Sequence, residues 1–527
     1  MGEWTYELAT EYLASFKDWD SLSHGPDAYD RLAPEIDEFR ALLKRIGEPQ
    51  RANSTIHVAG TKGKGSTTAF LHRILSTAGY RTGRYTSPHV ASYTERLLDG
   101  PDEVTRESYA ARLLEASQII DGGAHVRRWL RRRRWARLLP GLVKPVMGSV
   151  RASQRLTCLA MLLELGREDI EFKVVETHIG GTVDFTNVFT DMPRDKHGLL
   201  INVITTMGIE HTQVLGTTID RISGHKAGII QPQGFTVLGV QREQWAAPVR
   251  NVVCDRARQM GQPPLLDVAS AITYLPESVR VEPSGTTAVF RLSPEVVRDW
   301  SYGVMEARRR EGRAVRPVSD TQLFDALAAG LELTSPLGGR HQLDNLCTVL
   351  AVLLLMDMCG VDIPPEAVRR GVAQTQWPAR FEVMSLDPLV IVDCCHEPLS
   401  VETFVKTFED MFGRPEVIAV SGFARDNNAR LLCEIGKRHL NVVGGVCCRL
   451  PLGERARSAK QGAKIMQQVY GVPIEAIDDP RAAVRRGLEM RTGNQAVLVF
   501  DAFYVTTAAR EIIREFQATK SVGRKEP

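Results

Sequence analysis

From Tyr29 to Ile46, apolar residues recur at helical spacing, and beyond that point short apolar or β-branched runs alternate with longer helical stretches. Val174-Val175, Leu199 to Thr205 and Phe235 to Val240 are short apolar or β-branched runs of the kind that suits buried parallel strands. Their alternation with helical segments predicts an α/β sheet flanked by helices on both sides. The stretch from Leu265 to Leu292 is richer in β-branched residues and prolines, which predicts an antiparallel subregion ahead of a helix over Gly338 to Met358. A second α/β unit begins near Val383, because Leu389 to Val392, Val417 to Val420 and Ala496 to Phe500 each read as a core strand followed by polar residues. The expected layout is a domain over residues 1–376, a joint at 377–382 containing Trp377-Pro378-Ala379-Arg380, and a second domain over 383–527. Ligands in such folds bind at strand C-terminal ends and between domains.

Length supports that division, since 527 residues exceed what one core usually sustains. The longest apolar run, Leu346 to Met356, is too short for a bilayer and reads as a buried helix, so no transmembrane segment is expected. The net charge of +3 is too small to imply a nucleic-acid partner. Nine cysteines form no CxxC framework, and the adjacent pairs Cys394-Cys395 and Cys447-Cys448 suit a reducing compartment. The first residues mix acidic and apolar types without a basic start and apolar core, which predicts no signal peptide and a cytoplasmic protein. A monomer is the expectation. One segment breaks the even charge distribution: an insertion over about residues 120–150 places seven arginines between Arg127 and Arg137, with Trp129 and Trp135 among them. A solvated basic face, a funnel for a polyanionic substrate, and contact with an anionic surface or nucleic acid are the open readings.

The run Ile56-His57-Val58-Ala59-Gly60-Thr61-Lys62-Gly63-Lys64-Gly65-Ser66-Thr67 carries the clearest chemistry. An apolar segment passes into interleaved glycines, lysines and hydroxyls and then into a helical stretch, so successive N–H groups and a helix N-terminus can face one anion. Polyphosphate is the natural ligand. Gly65 between Lys64 and Ser66 departs from the ordinary Walker A spacing. Further motifs follow in order: YTSPH from Tyr85, VVETHIGGTVDFTN from Val174, GIEHTQVLG from Gly208, HKAGII from His225, GRHQLDN from Gly339, WPARFEV from Trp377 and IVDCCHEP from Ile391. Together they resemble the folylpolyglutamate synthetase and dihydrofolate synthase family, a branch of the Mur ligase superfamily. The resemblance covers most of the chain and thins after about residue 400.

That resemblance implies a Mur-ligase-like P-loop ATPase domain followed by a smaller Rossmann-like α/β C-terminal domain. It also implies ATP and Mg²⁺ as cofactors, with a folate-like acid and L-glutamate as substrates. A carboxylate is a poor electrophile, and phosphorylation by ATP would make it an acyl phosphate that an amine can attack. Positioning and charge neutralisation dominate such a transfer. Residue by residue, Gly63, Lys64, Gly65 and Ser66 match the phosphate-binding positions, with Lys64 neutralising β/γ oxygens. Ser87 and Glu176 match magnesium ligands, and His211 matches a further metal ligand. Lys226 matches a lysine that the superfamily carries as a carbamate, which would hold a second Mg²⁺. Gln342, Asn345, Arg380, Asp393 and His396 match positions around the nucleotide, with Arg380 near phosphate and Asp393 near ribose.

Several positions depart from the family pattern. Thr177-His178 puts an imidazole two residues after Glu176, where the family usually has Gly. Ser153-Gln154 stands ahead of Thr157 where a Phe-Glu pair is common, Asp393-Cys394-Cys395-His396 replaces Asp-Gly-Ala-His, and Asp501-Ala502 replaces Gly-Ser. A retained phosphate and metal apparatus with a drifted acceptor side fits a changed substrate better than lost catalysis. The alternatives are a Mur-ligase-type amide ligase for a non-folate acid, and a nucleotide-binding module with little ligase activity.

Overall fold

The computed structural model describes residues 4–16, 29, 32–138, 150–191, 193–425, 427–500 and 503–522. The Asp501-Ala502 pair and residues 139–149 of the Arg-rich insertion lie outside the described residues. The chain divides into two compact units, one of Met1–Leu275, Val289–Glu332 and Asp344–Val372, the other of Pro276–Ala288, Leu333–Leu343 and Ala373–Pro527.

The first unit is built on strands β1 (Ser54–Ala59), β2 (Thr82–Tyr85), β3 (Leu97–Asp99), β4 (Asp102–Glu103), β5 (Phe172–Glu176), β6 (Leu200–Ile204), β7 (Phe235–Leu238) and β8 (Leu266–Asp267). They form one eight-stranded sheet in the order β4-β3-β2-β5-β1-β6-β7-β8. From β2 to β8 the pairings are parallel, and β3 and β4 add an antiparallel edge. Every residue of β1, β2, β5, β6 and β7 is buried, as parallel strands covered on both faces require. The apolar runs at 174–175, 199–205 and 235–240 thus mark true strands.

Two local expectations are corrected, and the Arg-rich segment gains a definite conformation. The helix after Tyr29 covers only Ala33–Arg45, because Pro34 suits a first helical turn, and Tyr29 lies before it as a fully buried turn residue. The 265–292 region is not antiparallel throughout: Leu266–Asp267 joins the large parallel sheet as β8. The remainder does form a small sheet, with β9 (Ile272–Tyr274), β10 (Arg280–Glu282), β11 (Gly285–Leu292) and β12 (Leu331–Ser335), in which β9 and β10 pair antiparallel with β11. The Arg-rich segment is a helix, Ala124–Leu138, with an anchored face. Trp129 is fully buried with its ring 5.4 Å from that of Tyr12, and Arg133 pairs with Glu11 at 2.7 Å, while Arg127, Arg128 and Arg131 remain exposed.

The second unit carries β13 (Glu382–Leu386), β14 (Leu389–Asp393), β15 (Glu416–Gly422), β16 (Asn441–Cys448), β17 (Ile474–Ala476) and β18 (Ala496–Phe500) in the order β13-β14-β18-β15-β16-β17. All neighbours are parallel except β13, which pairs antiparallel with β14. The apolar reading misses β16, whose centre is Gly444-Gly445; a side chain at 445 would come within 2.3 Å of the Ala419 carbonyl. Leu346 to Met356 lies in the helix Arg340–Met358 and is fully or almost fully buried. Among the described residues no helix is long and apolar enough to cross a membrane.

Candidate active site

Strand β1 runs into a tight loop at Gly60 to Gly63 and then into the helix Lys64–Thr77. Gly63 is left-handed (φ 86°), and a Cβ there would sit 2.3 Å from Asn345 Oδ1, so this position requires glycine. The first N–H groups of a helix have no acceptor within it, and here the first backbone bond to return is Thr67 N–H to the Gly63 carbonyl, at 2.9 Å. Gly63, Lys64, Gly65 and Ser66 therefore stand at an anion-favouring helix end, with Asn345 packed against it.

Two ammonium groups converge on one backbone oxygen. Lys64 Nζ donates to the Gly60 carbonyl at 3.0 Å, and Lys226 Nζ, from the helix Ile219–Ala227, donates to the same carbonyl at 2.7 Å. Lys226 is 1 % exposed and also donates to Glu210 Oε1 at 2.7 Å, while Lys62 Nζ lies 3.9 Å from Glu210 Oε2. Burial pushes the Lys226 amine down from 10.5 to about 8, against the opposing pull of Glu210. Burial would raise Glu210, but Lys226, Lys64 and Lys62 together hold its carboxyl down, from 4.5 to about 2. Sequence reasoning named His211 in this motif and missed Glu210. His211 is exposed, with left-handed backbone (φ 48°) at the start of the short helix Thr212–Leu215, whereas its neighbour Glu210 is buried. The signal available was the acidic residue in the same Gly208-Ile209-Glu210-His211 run.

Ser87 and Glu176 come together at the C-terminal ends of neighbouring strands. Tyr85 ends β2 and pairs with Val175, so the next turn brings Ser87 N–H to Glu176 Oε2 at 3.3 Å. Glu176 is 4 % exposed and ends β5. A hydroxyl and a buried carboxylate are hard oxygen donors that fit Mg²⁺, which keeps several waters or phosphate oxygens. His211 and Lys226 do not fit a second cation as they stand, because the Lys226 amine is engaged with Glu210 and carries positive charge when protonated. Among the described residues, no group of three or more His, Cys, Asp or Glu is placed to hold a metal ion, which leaves Cys394, Cys395 and His396 without a metal-site geometry.

His178 turns inward from the same loop. Its Nδ1 lies 3.2 Å from Asp184 Oδ1, and Asp184 also accepts the N–H groups of His178, Ile179 and Thr186. Burial would raise this carboxyl, but His178 and the hydrogen bonds from His178 and Thr186 hold it well below the usual carboxylate range.

In the second unit the predicted residues form a local construction. Ala379 (φ 55°) and Phe381 (φ 46°) both adopt left-handed backbone, with Arg380 between them. Asp393 stabilises that bend, since its Oδ2 accepts Phe381 N–H at 2.6 Å and its Oδ1 accepts Cys395 N–H at 2.7 Å. Burial raises the Asp393 carboxyl above its ordinary value, against Arg380 and those two N–H groups. Arg380 donates to the Ala379 carbonyl at 3.1 Å and contacts Cys394 Sγ, and His396 Nδ1 lies 2.9 Å from the Cys394 carbonyl. Gln342 and Asn345 are buried on the helix Arg340–Met358, at 2 % and 6 % exposure.

A Mur ligase, glutamate ligase domain family model matches residues 379–503. The chain is 22 % identical over 514 residues to a dihydrofolate synthase/folylpolyglutamate synthase of Bacillus subtilis, across 95 % of this chain and all of that protein. It is 25 % identical over 409 residues to a folylpolyglutamate synthase of Lacticaseibacillus casei, covering 76 % and 78 % of the two chains. Escherichia coli FolC in complex with DHPP and ADP superposes with a TM-score of 0.68 at 20 % identity, over 97 % of this chain and 98 % of that one.

Proposed function

We propose, starting from the chain's membership in the folylpolyglutamate synthase family, that it is an ATP-dependent amide ligase. Its reaction joins an amino acid, L-glutamate first among candidates, to a carboxylate acid of the folate or dihydropteroate class. The γ-phosphoryl group of ATP passes to the acid's carboxylate, giving an acyl phosphate and ADP. The amine then attacks the acyl carbon, and phosphate leaves as the amide forms.

The observation that carries this reading is the convergence of Lys64 and Lys226 on the Gly60 carbonyl beside a helix N-terminus. Charge on the transferring group is spread over oxygens, so fixed cations and N–H dipoles lower the barrier without reorganising. Lys64 is assigned to the β/γ oxygens and the N–H groups of Gly63 to Ser66 to the phosphate chain. Ser87 and Glu176 are assigned to Mg²⁺, which supplies charge neutralisation on the phosphates. Gln342, Asn345, Arg380 and His396 are assigned to the nucleotide, and Asp393 acts through the Arg380 bend that it holds. A role for His211 and Lys226 toward a second cation requires Lys226 to be carbamylated.

Phosphate release from ATP, measured across a panel of pteroates, folates and amino acids, tests the assignment. Release is expected only when acid and amine are both present, with the amide product found by mass spectrometry. If neither dihydropteroate nor tetrahydrofolate with L-glutamate yields product while another acid does, the folate assignment falls and the ligase assignment stands. The departures from the family pattern at Ser153-Gln154 and Thr177-His178 are what favours testing non-folate acids in the same panel.

A further inference from the structure

One departure from the family pattern, His178, meets two residues far from it in the chain at one atom. The Tyr85 hydroxyl lies 2.8 Å from His178 Nε2 and 3.4 Å from Thr157 Oγ1. Thr157 belongs to the helix Val150–Leu165, which also carries the drifted Ser153-Gln154 pair, and its hydroxyl donates back to the Ser153 carbonyl at 3.0 Å. On its far side the His178 ring faces Asp184 Oδ1 at 3.2 Å, which requires a proton on Nδ1. Asp184 Oδ1 also accepts from Thr186 Oγ1 at 2.7 Å, so Thr186 has no second proton to give and His57 Nε2, 2.9 Å away, donates to it. The result is a continuous chain, Tyr85, His178, Asp184, Thr186 and His57, joining the end of β2 through the segment after β5 to the middle of β1. Tyr85 is 2 % exposed, and the His178 and Asp184 side chains are 6 % and 3 % exposed. Water therefore competes little for these bonds.

We propose that His178 is a positioning residue for the Ser87 and Glu176 pair, locking the turn after β2 to the turn after β5 through the Tyr85 hydroxyl. Ser87 follows Tyr85 by two residues and His178 follows Glu176 by two, so the Tyr85–His178 bond spans the same gap as the Ser87 N–H to Glu176 bond at 3.3 Å. A glycine at 178 would have no side chain with which to make this tie. Outer partners of this kind orient ligating groups, and losing one commonly lowers metal affinity by about 10–100-fold. The inference rests on the reading that Ser87 and Glu176 hold Mg²⁺.

The test is Mn²⁺ binding, followed by electron paramagnetic resonance on the full chain with a non-hydrolysable ATP analogue, in Tyr85→Phe, His178→Ala, the double variant and Glu176→Gln. Tyr85→Phe removes one oxygen and keeps the ring, so it decides the matter even if His178→Ala folds poorly. Each single variant is expected to weaken Mn²⁺ by about 10-fold. The double variant should weaken it no further than the singles, because both remove one link. The Mg²⁺ concentration for half-maximal turnover should rise with it, while KM for the amino acid stays unchanged, a split that general loosening of the fold does not produce. Wild-type Mn²⁺ affinity in Tyr85→Phe and His178→Ala, alongside weakened binding in Glu176→Gln, overturns the positioning role alone. Unchanged Mn²⁺ binding in Glu176→Gln overturns the metal assignment and this inference with it.

Discussion

The phosphate-loop end of the first unit and the Arg380 bend of the second solve the placement of charge in opposite ways. In the first, residues 60 and 64, 210 and 226 come from three separate segments, and the buried Lys226 and Glu210 answer each other directly. In the second, the charge sits on one antiparallel hairpin: Asp393 answers the backbone N–H groups of Phe381, 12 residues back, and of Cys395, 2 residues on. The first arrangement depends on parallel strands far apart in sequence, so its charges are correct only when the sheet is complete. The second stores backbone strain at Ala379 and Phe381 and stabilises it locally. Mutual charge compensation should therefore be more fragile to single substitutions than a carboxylate seated on amides.

The largest expected effect breaks the first arrangement. Lys226→Met leaves Glu210 buried without its nearest cation and should destabilise the protein by about 3–5 kcal/mol, with most of the loss recovered in Lys226→Met combined with Glu210→Gln. Chemical denaturation of the two variants checks this, and equal losses in both would show that Glu210 is not what Lys226 compensates. Lys64→Ala comes next. Its ammonium is half-buried and bonded to a single carbonyl, so folding should hold while turnover falls by about 10²–10³. Near-normal turnover would remove the phosphate-loop assignment.

Asp393→Asn should cost about 1–3 kcal/mol, since an amide keeps one acceptor oxygen and leaves the other N–H facing a donor. The two carboxylates also predict opposite acid behaviour. Glu210 is lowered from 4.5 to about 2, so its contribution is present above about pH 4.5 and is lost as pH falls toward 2. Asp393 is raised above 3.8, so its contribution is full below that value and is lost as pH climbs through the folded-state pKa. Denaturation of Glu210→Gln and Asp393→Asn across acid pH should therefore show changes of slope with opposite sign. Slopes of the same sign would defeat the comparison.

The smallest effect belongs to the Arg-rich helix. Replacing the exposed Arg128 and Arg131 with serine should change stability by no more than about 0.5 kcal/mol. If the segment steers a polyanionic acid, KM should rise at low salt, with kcat unchanged, and the effect should fade as screening shortens the field to about 8 Å. An unchanged KM at low salt returns these arginines to a solvated face.

Much of this was legible before any coordinates. Strands β5, β6, β7, β14, β15 and β18 announce themselves as apolar runs because a parallel strand covered on both faces has no polar side to show. Strand β16 did not, since Gly444-Gly445 hides its character and is explained only by the Ala419 carbonyl pressed against it. The loop at Gly60 to Ser66 was readable because a tight glycine turn and a helix start are local events. Glu210 was not, because the left-handed turn at His211 decides which of two neighbouring side chains faces inward.

The sequence by itself determined the α/β class, the phosphate loop and the motifs that resemble one ligase family, since each depends on spacing within a few residues or on order along the chain. Only the tertiary structure decided that Lys226 answers Glu210, that Asp393 seats a strained bend, and that Tyr85, Thr157 and His178 share one hydroxyl. Those contacts join positions that only sheet closure or strand pairing brings within hydrogen-bond reach, and hydrogen bonds and buried charges act over a few ångströms, so no periodicity in the chain can announce them.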